Sequence, residues 1–261
     1  MKQRNLWLDY LKTFAIYLVI LGHTINNCMP NGYESRVCGI IYFIHIPLFL
    51  VISGMLVKDK PMNGGFWKGL LLRFMIPYTM WTIILTTFYL GVGHLLYDSF
   101  TGNLVVYFSN WCHSFLWFIK VYVIVIVLWQ SLKRLIPWKR VAVGTIILIG
   151  FNLIVQQNKA LAELASLSLY AYPMLGAGVL LKNYLCILKP VHILVMLLIF
   201  VACLPLATVS NNYFELSFGN MMATGNWYVF FVRMIAGVCI SLVAIYCGRV
   251  LYPPHLQMLK I

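Results

Sequence analysis

The residues best able to do chemistry lie in two short stretches near the start of the chain. In the first, Leu8-Asp9-Tyr10-Leu11-Lys12-Thr13-Phe14 leads through an apolar run to Gly22-His23-Thr24. Lys12 and His23 are eleven residues apart. On a helix that is almost three whole turns, so both occupy one face, roughly 16 Å apart along the axis. Asp9 lies one turn before Lys12 on the same face and is within reach of an ion pair with it. The second stretch is Phe43-Ile44-His45-Ile46-Pro47-Leu48-Phe49, followed by Ile52-Ser53-Gly54. With the two helices running in opposite directions, His23 and His45 fall at matching depth, roughly 8–11 Å below one end of each. Two readings are open. In one, the imidazoles share a proton-transfer site, since histidine titrates at about 6.5 and serves as acid or base near neutrality. In the other, Asp9 and Lys12 are an interfacial pair, His23 is hydrogen-bonded inside a bundle, and His45 fills the turn before Pro47.

The elements that must carry these residues are set by composition. The chain has 261 residues, 62% of them hydrophobic and 10% charged, with a mean hydropathy of +0.87. A soluble domain would still need polar cover over its exterior, whereas lipid removes that need. In lipid every backbone group is satisfied internally, so spans are helices or closed barrels. Barrel strands would alternate over short runs, and the apolar runs here are long and continuous. The expected fold is therefore all-α, a polytopic bundle of about eight transmembrane helices near 9–28, 38–57, 70–95, 114–133, 141–156, 165–182, 191–209 and 227–248. The fifth and sixth are the shortest of these. Each suffices for a hydrocarbon layer of roughly 30 Å, and residues 1–261 read as one domain.

Charge orients the bundle. The net charge is +13, which raises the question of nucleic acid. Fifteen of the nineteen Lys and Arg, however, fall at the N-terminus or in alternate loops and their flanks. Arg36 and Lys159 fall in the opposite loops, and Lys120 and Arg233 within spans. This positive-inside bias predicts both termini in the cytoplasm and leaves no charge that needs a nucleic-acid partner. The N-terminal apolar stretch is too long for a signal peptide and has no small-residue cleavage site after it, so it reads as the first span. Seven cysteines show no CxxC or metal spacing, and no metal is expected. Cys28 and Cys38 lie near the outer face, where an oxidising compartment would allow them to pair. The longest outer segments are roughly 96–113 and 210–226.

In order along the chain, these motifs resemble acyltransferase family 3, whose members are membrane proteins. Leu8-Asp9-Tyr10-Leu11-Lys12 leading to Leu21-Gly22-His23 is similar to the family's opening signature, a basic residue and a histidine separated by ten positions. His45-Ile46-Pro47-Leu48-Phe49 through Ile52-Ser53-Gly54 is similar to its second helix, Arg73-Phe74-Met75-Ile76-Pro77-Tyr78 to its third, and Leu116-Trp117-Phe118 to a later tryptophan motif. The likeness is good over roughly residues 4–120 and rests on hydropathy beyond them. Lysine at position 12 and the five-residue spacing of Lys68 and Arg73 differ from the family, which has arginine at the first and two arginines three apart at the second. The family core has about ten helices, so the resemblance implies a C-terminally short member.

The resemblance implies an O-acyltransferase, commonly moving acetyl from acetyl-CoA to a hydroxyl of a surface carbohydrate or lipid-linked sugar. It also implies a multi-pass location in the bacterial inner (cytoplasmic) membrane, among membrane lipids. His23, aided by His45, is then the candidate base for the acceptor hydroxyl. Lys12, Lys68 and Arg73 are candidates for the phosphates or thioester end of the polyanionic donor, together with Lys58 and Lys60; topology alone also accounts for these cations. His113 and Trp117 stand one turn apart, and Trp117 either stacks on a sugar ring or belongs to an interfacial belt. Lys120 and Arg233 either contact an anionic substrate such as a lipid-linked pyrophosphate or pair with helix carbonyls. A transporter or flippase for lipid-linked glycan and a truncated inactive member are the competing readings. The absence of a detectable repeat speaks against the transporter.

Overall fold

A computed structural model of the chain describes residues 6–28, 36–92, 106–107, 116–185, 187–207, 221–222 and 224–251. Among these residues the structure is all-helical and contains no strand. Its eight long helices are α1 (Leu6–Cys28), α2 (Arg36–Leu56), α3, α4 (Trp117–Ser131), α5 (Pro137–Ile154), α6 (Lys159–Leu181), α7 (Pro190–Ala207) and α8 (Trp227–Leu251). Helix α3 is built in three segments, Gly64–Leu70, a π-helical turn Leu71–Met75, and Ile76–Val92. Six helices are long and apolar enough to cross a bilayer, namely α1, α2, α3, α5, α6 and α8, while the apolar runs of α4 and α7 are shorter. The protein is a polytopic helical membrane protein.

Several helices start earlier than apolar patterning suggests, for local reasons. Helix α3 begins at Gly64 because the Asn63 Oδ1 accepts the Phe66 N–H at 3.1 Å and caps the first turn. Helix α5 begins with Pro137, whose fixed φ suits a first helical position. At the start of α6 the Asn158 Oδ1 accepts the Leu161 N–H at 3.2 Å. The sixth span is consequently 23 residues long rather than short. The π turn has a covalent cause. Pro77 lacks the N–H that would bond to the Arg73 carbonyl, and its ring crowds that carbonyl. The chain widens there, with the Ile76 N–H bonded to Leu71 O one residue further back than in an α-helix.

The chain divides into two compact units, 1–57 with 170–261, and 58–169. In the first, α8 packs along α7 and against α2, and α1 packs on α2 and α8. Phe43, Phe200, Ala236 and Cys239 form a buried cluster there, with Met196 and Val232 against it. Helices α2 and α6 cross at Gly54 and Gly178 with no side chain between them. A Cβ on Gly54 would overlap the Leu175 carbonyl, and one on Gly178 would overlap the Val51 carbonyl. Such small-residue crossings are how spanning helices gain van der Waals contact when lipid supplies no hydrophobic drive. Cys28 and Cys38 are free thiols, not a disulfide. The Cys38 thiol instead donates to the Gly22 carbonyl at 3.5 Å.

In the second unit the α2–α3 connection is strapped to the α4–α5 turn. Arg140, 5% exposed, donates from Nη1 to Asp59 Oδ1 at 2.6 Å and from Nη2 to Asp59 Oδ2 at 2.9 Å. It also donates to the carbonyls of Leu135 and Lys133, and its guanidinium lies 5.3 Å from the Trp129 ring centroid. Gln130 adds a second clasp, donating to Lys58 O at 2.9 Å and accepting the Lys60 N–H at 3.1 Å. Between α5 and α6 the buried Asn152 donates to Ser166 Oγ at 2.6 Å.

Two stability outcomes follow from this packing. Gly54→Ala should destabilise the protein by about 1–3 kcal/mol, because only backbone stands in the way of the added methyl. A detergent thermal melt unchanged from the wild type would contradict the crossing. Arg140→Lys should cost about 2 kcal/mol, since an ammonium cannot hold both Asp59 oxygens and two carbonyls at once. The same melt checks it, and a neutral result would show the strap to be slack.

Candidate functional site

The two histidines sit in the first unit on facing turns of α1 and α2. His23 is exposed, whereas His45 is 5% exposed. His45 Nδ1 lies 2.8 Å from the Ile41 carbonyl. A carbonyl can only accept, so Nδ1 carries the proton and the lone pair of the neutral ring is on Nε2. Between the imidazoles stands Tyr42. Its ring meets that of His45 edge-on, with centroids 4.8 Å apart, and meets that of His23 edge-on at 6.1 Å. Its hydroxyl lies 3.5 Å from His23 Nδ1.

Tyr42 escaped the reading from sequence because a tyrosine on an apolar helix looks like core. The signal was there in spacing: Tyr42 and His45 are three apart and share a helix face. Cys38, one turn earlier, touches Gly22, which brings the next turn of α2 level with His23.

The other candidates are distributed over both units. Lys12 is on α1, with its Nζ 3.9 Å from Asp9 Oδ1 and its side chain 44% exposed. Arg233 on α8 is fully buried, with its guanidinium 5.7 Å from the Phe43 ring centroid. His23, His45, Lys12 and Arg233 thus belong to one unit. Lys68, Arg73, Trp117 and Lys120 belong to the other. Lys68 and Arg73 are exposed, and Arg73 lies within the π turn. Lys120 Nζ is 5.7 Å from the ring centroid of the buried Tyr78. Trp117, half-buried, packs edge-on against Phe118 at 6.0 Å. His113 and most of the segments 96–113 and 210–226 lie outside the described residues.

The arrangement offers base chemistry at one point. His23 presents an imidazole on an open helix face, with one nitrogen near a phenol, while His45 is enclosed. Asp9 is taken up with Lys12 at the far end of α1, so no carboxylate of that helix reaches His23. Among the described residues no group of three or more His, Cys, Asp or Glu side chains is placed to hold a metal ion. An apolar crevice of about 200 Å³ opens between α1, α2 and α8, lined by Tyr10, Phe14, Ile44, Ile240 and Cys247 among others. It contains neither histidine.

Known proteins add the family. The profile of the acyltransferase domain, acyltransferase family 3, matches residues 5–253. The nodulation protein NolL of Sinorhizobium fredii is 25% identical over 186 residues, covering 68% of this chain and 48% of that protein. NolL of Mesorhizobium japonicum is 30% identical over 91 residues, covering 32% of this chain and 24% of that protein. The chain thus spans about half the length of the first relative and about a quarter of the second. No solved structure matches it. With nearly its whole length matched by the family profile, this helical membrane chain belongs to acyltransferase family 3.

Proposed function

We propose that the chain is an integral membrane O-acyltransferase that moves acetyl from acetyl-CoA to a hydroxyl of a surface polysaccharide or lipid-linked sugar. Its place would be the bacterial inner membrane, with both termini in the cytoplasm, as the distribution of cations supports. The observation that carries this reading is the exposed imidazole of His23 on an apolar helix, with a phenol against it and a second imidazole on the far side of that phenol. Family membership supports the reaction class. NolL is named for nodulation, and that name gives no reaction to carry over.

A sugar hydroxyl is a poor nucleophile until a base removes its proton. In this reading His23 takes the proton as the hydroxyl oxygen attacks the thioester carbonyl. The C–S bond then breaks, the thiolate leaves, and the imidazolium returns the proton to it. The residues that would meet a polyanionic donor suit that role electrostatically. Lys58, Lys60, Lys68 and Arg73 are all exposed. The acid among them, Asp59, is held through both oxygens by Arg140, which offsets its charge. Lys12 and Arg233 in the first unit, and Trp117 and Lys120 in the second, remain the candidates for acceptor or donor contact.

Labelled acetyl-CoA offered to purified protein with host surface glycan tests the reading. Wild-type protein should transfer label, and His23→Gln should lower the rate by at least about 100-fold without lowering the melting temperature, because the side chain is exposed. Undiminished transfer by His23→Gln would remove His23 from the chemistry. Movement of glycan across the membrane without acetylation would favour a transporter, and coenzyme binding without turnover an inactive member.

A further inference from the structure

We infer that Tyr42 is a positioning residue for His23: its phenol oxygen accepts the Nδ1 proton of that imidazole and so leaves the Nε2 lone pair directed at the acceptor hydroxyl. This inference rests on the role of His23 proposed above.

Three independent features of the structure carry it. First, His23 lies on an exposed helix face, where an imidazole without a partner would sample both tautomers and several rotamers. Among the described residues its one hydrogen bond is to the Tyr42 hydroxyl, at 3.5 Å from Nδ1. A bond of that length is slack, as such contacts often are before substrate is bound. Second, the phenol cannot easily swing away. Its ring is held edge-on against the buried His45 at 4.8 Å, and His45 is itself fixed by the bond from Nδ1 to Ile41 O at 2.8 Å. Third, the residue before His23 is a glycine, and the space it leaves is used by this tyrosine. A Cβ at Gly22 would stand 3.1 Å from Tyr42 Cε2 and 3.1 Å from Ile41 Cγ2. The Gly22-His23 pair therefore has a physical reading. Glycine lets α2 come close enough for the phenol to reach the imidazole that follows it.

A hydroxyl can both donate and accept, so the geometry allows either direction of this bond. The chemistry selects one. A general base at Nε2 needs the neutral ring protonated at Nδ1, and Tyr42 as acceptor favours that tautomer and the imidazolium formed during proton transfer.

The test pairs kinetics with a spectroscopic readout. Tyr42→Phe keeps the ring and its packing on His45 and removes only the oxygen. It should lower kcat about tenfold, the worth of one hydrogen bond, with KM for donor and acceptor unchanged. Ring-nitrogen NMR of histidine-labelled protein, with His23 assigned by its loss in His23→Gln, should show the Nδ1–H tautomer in the wild type and a mixture in Tyr42→Phe. Gly22→Ala, which crowds the phenol without removing it, should shift the tautomer in the same direction. Wild-type kcat in Tyr42→Phe, or an unchanged His23 spectrum, would overturn the inference while leaving His23 as the base. Full activity in His23→Gln would instead overturn the proposed function, and the spectrum would still decide whether Tyr42 sets the tautomer.

Discussion

Hydrocarbon offers a polar group nothing to bond to, and every polar side chain on these helices has to be provided for by the protein itself. The hydroxyl side chains show the simplest solution. Thr13, Thr24, Thr82 and Ser241 each donate to the carbonyl one turn back on their own helix. Asn152 finds Ser166 on the next helix. Arg233, fully buried, lies over the face of Phe43, where the negative ring quadrupole suits a cation. His45 gives its Nδ1 proton to a carbonyl of its own helix. His23 differs from these in standing on an open face, and among the described residues its hydrogen bond is to a phenol from another helix.

The close helix contacts are what make that placement reproducible. Glycines at 54 and 178 bring α2 onto α6, and the gap at Gly22 brings α1 onto α2. Both contacts involve α2, which thereby fixes Tyr42 and His45 relative to α1. The second unit is organised differently, by a planar guanidinium. Arg140 ties together a turn and a connection that share no regular structure, and it neutralises Asp59 while leaving the lysines on either side exposed. Close helix crossings mark the first unit, and a hydrogen-bonded strap marks the second.

Much of this was readable from residues alone. Long uninterrupted apolar runs have no soluble alternative, which is why the number of helices and their order were legible. The helix starts were less so, because Asn63 and Asn158 act through single capping bonds that apolar periodicity does not register. The π turn was hidden behind Pro77, whose effect falls on residues before it. At the site, depth along a helix was legible and lateral contact was not. Matching depth follows from counting residues, but the insertion of Tyr42 between the two histidines depends on how α1 and α2 are rotated about their axes. The Arg140–Asp59 pair joins residues 81 apart in sequence, and no local pattern announces it. The same holds for Cys38, whose thiol is turned to Gly22 rather than to Cys28.

The proposed chemistry requires residue 23 to face a polar, water-reachable space instead of acyl chains. The direct measurement is reaction of a single cysteine with a charged maleimide in opened membrane vesicles, in a background with the native cysteines replaced. His23→Cys should react readily, while Tyr17→Cys, which is 61% exposed midway along the same helix, should stay unmodified in lipid. Equal inertness at both positions would put the imidazole among the acyl chains and contradict the proposed chemistry.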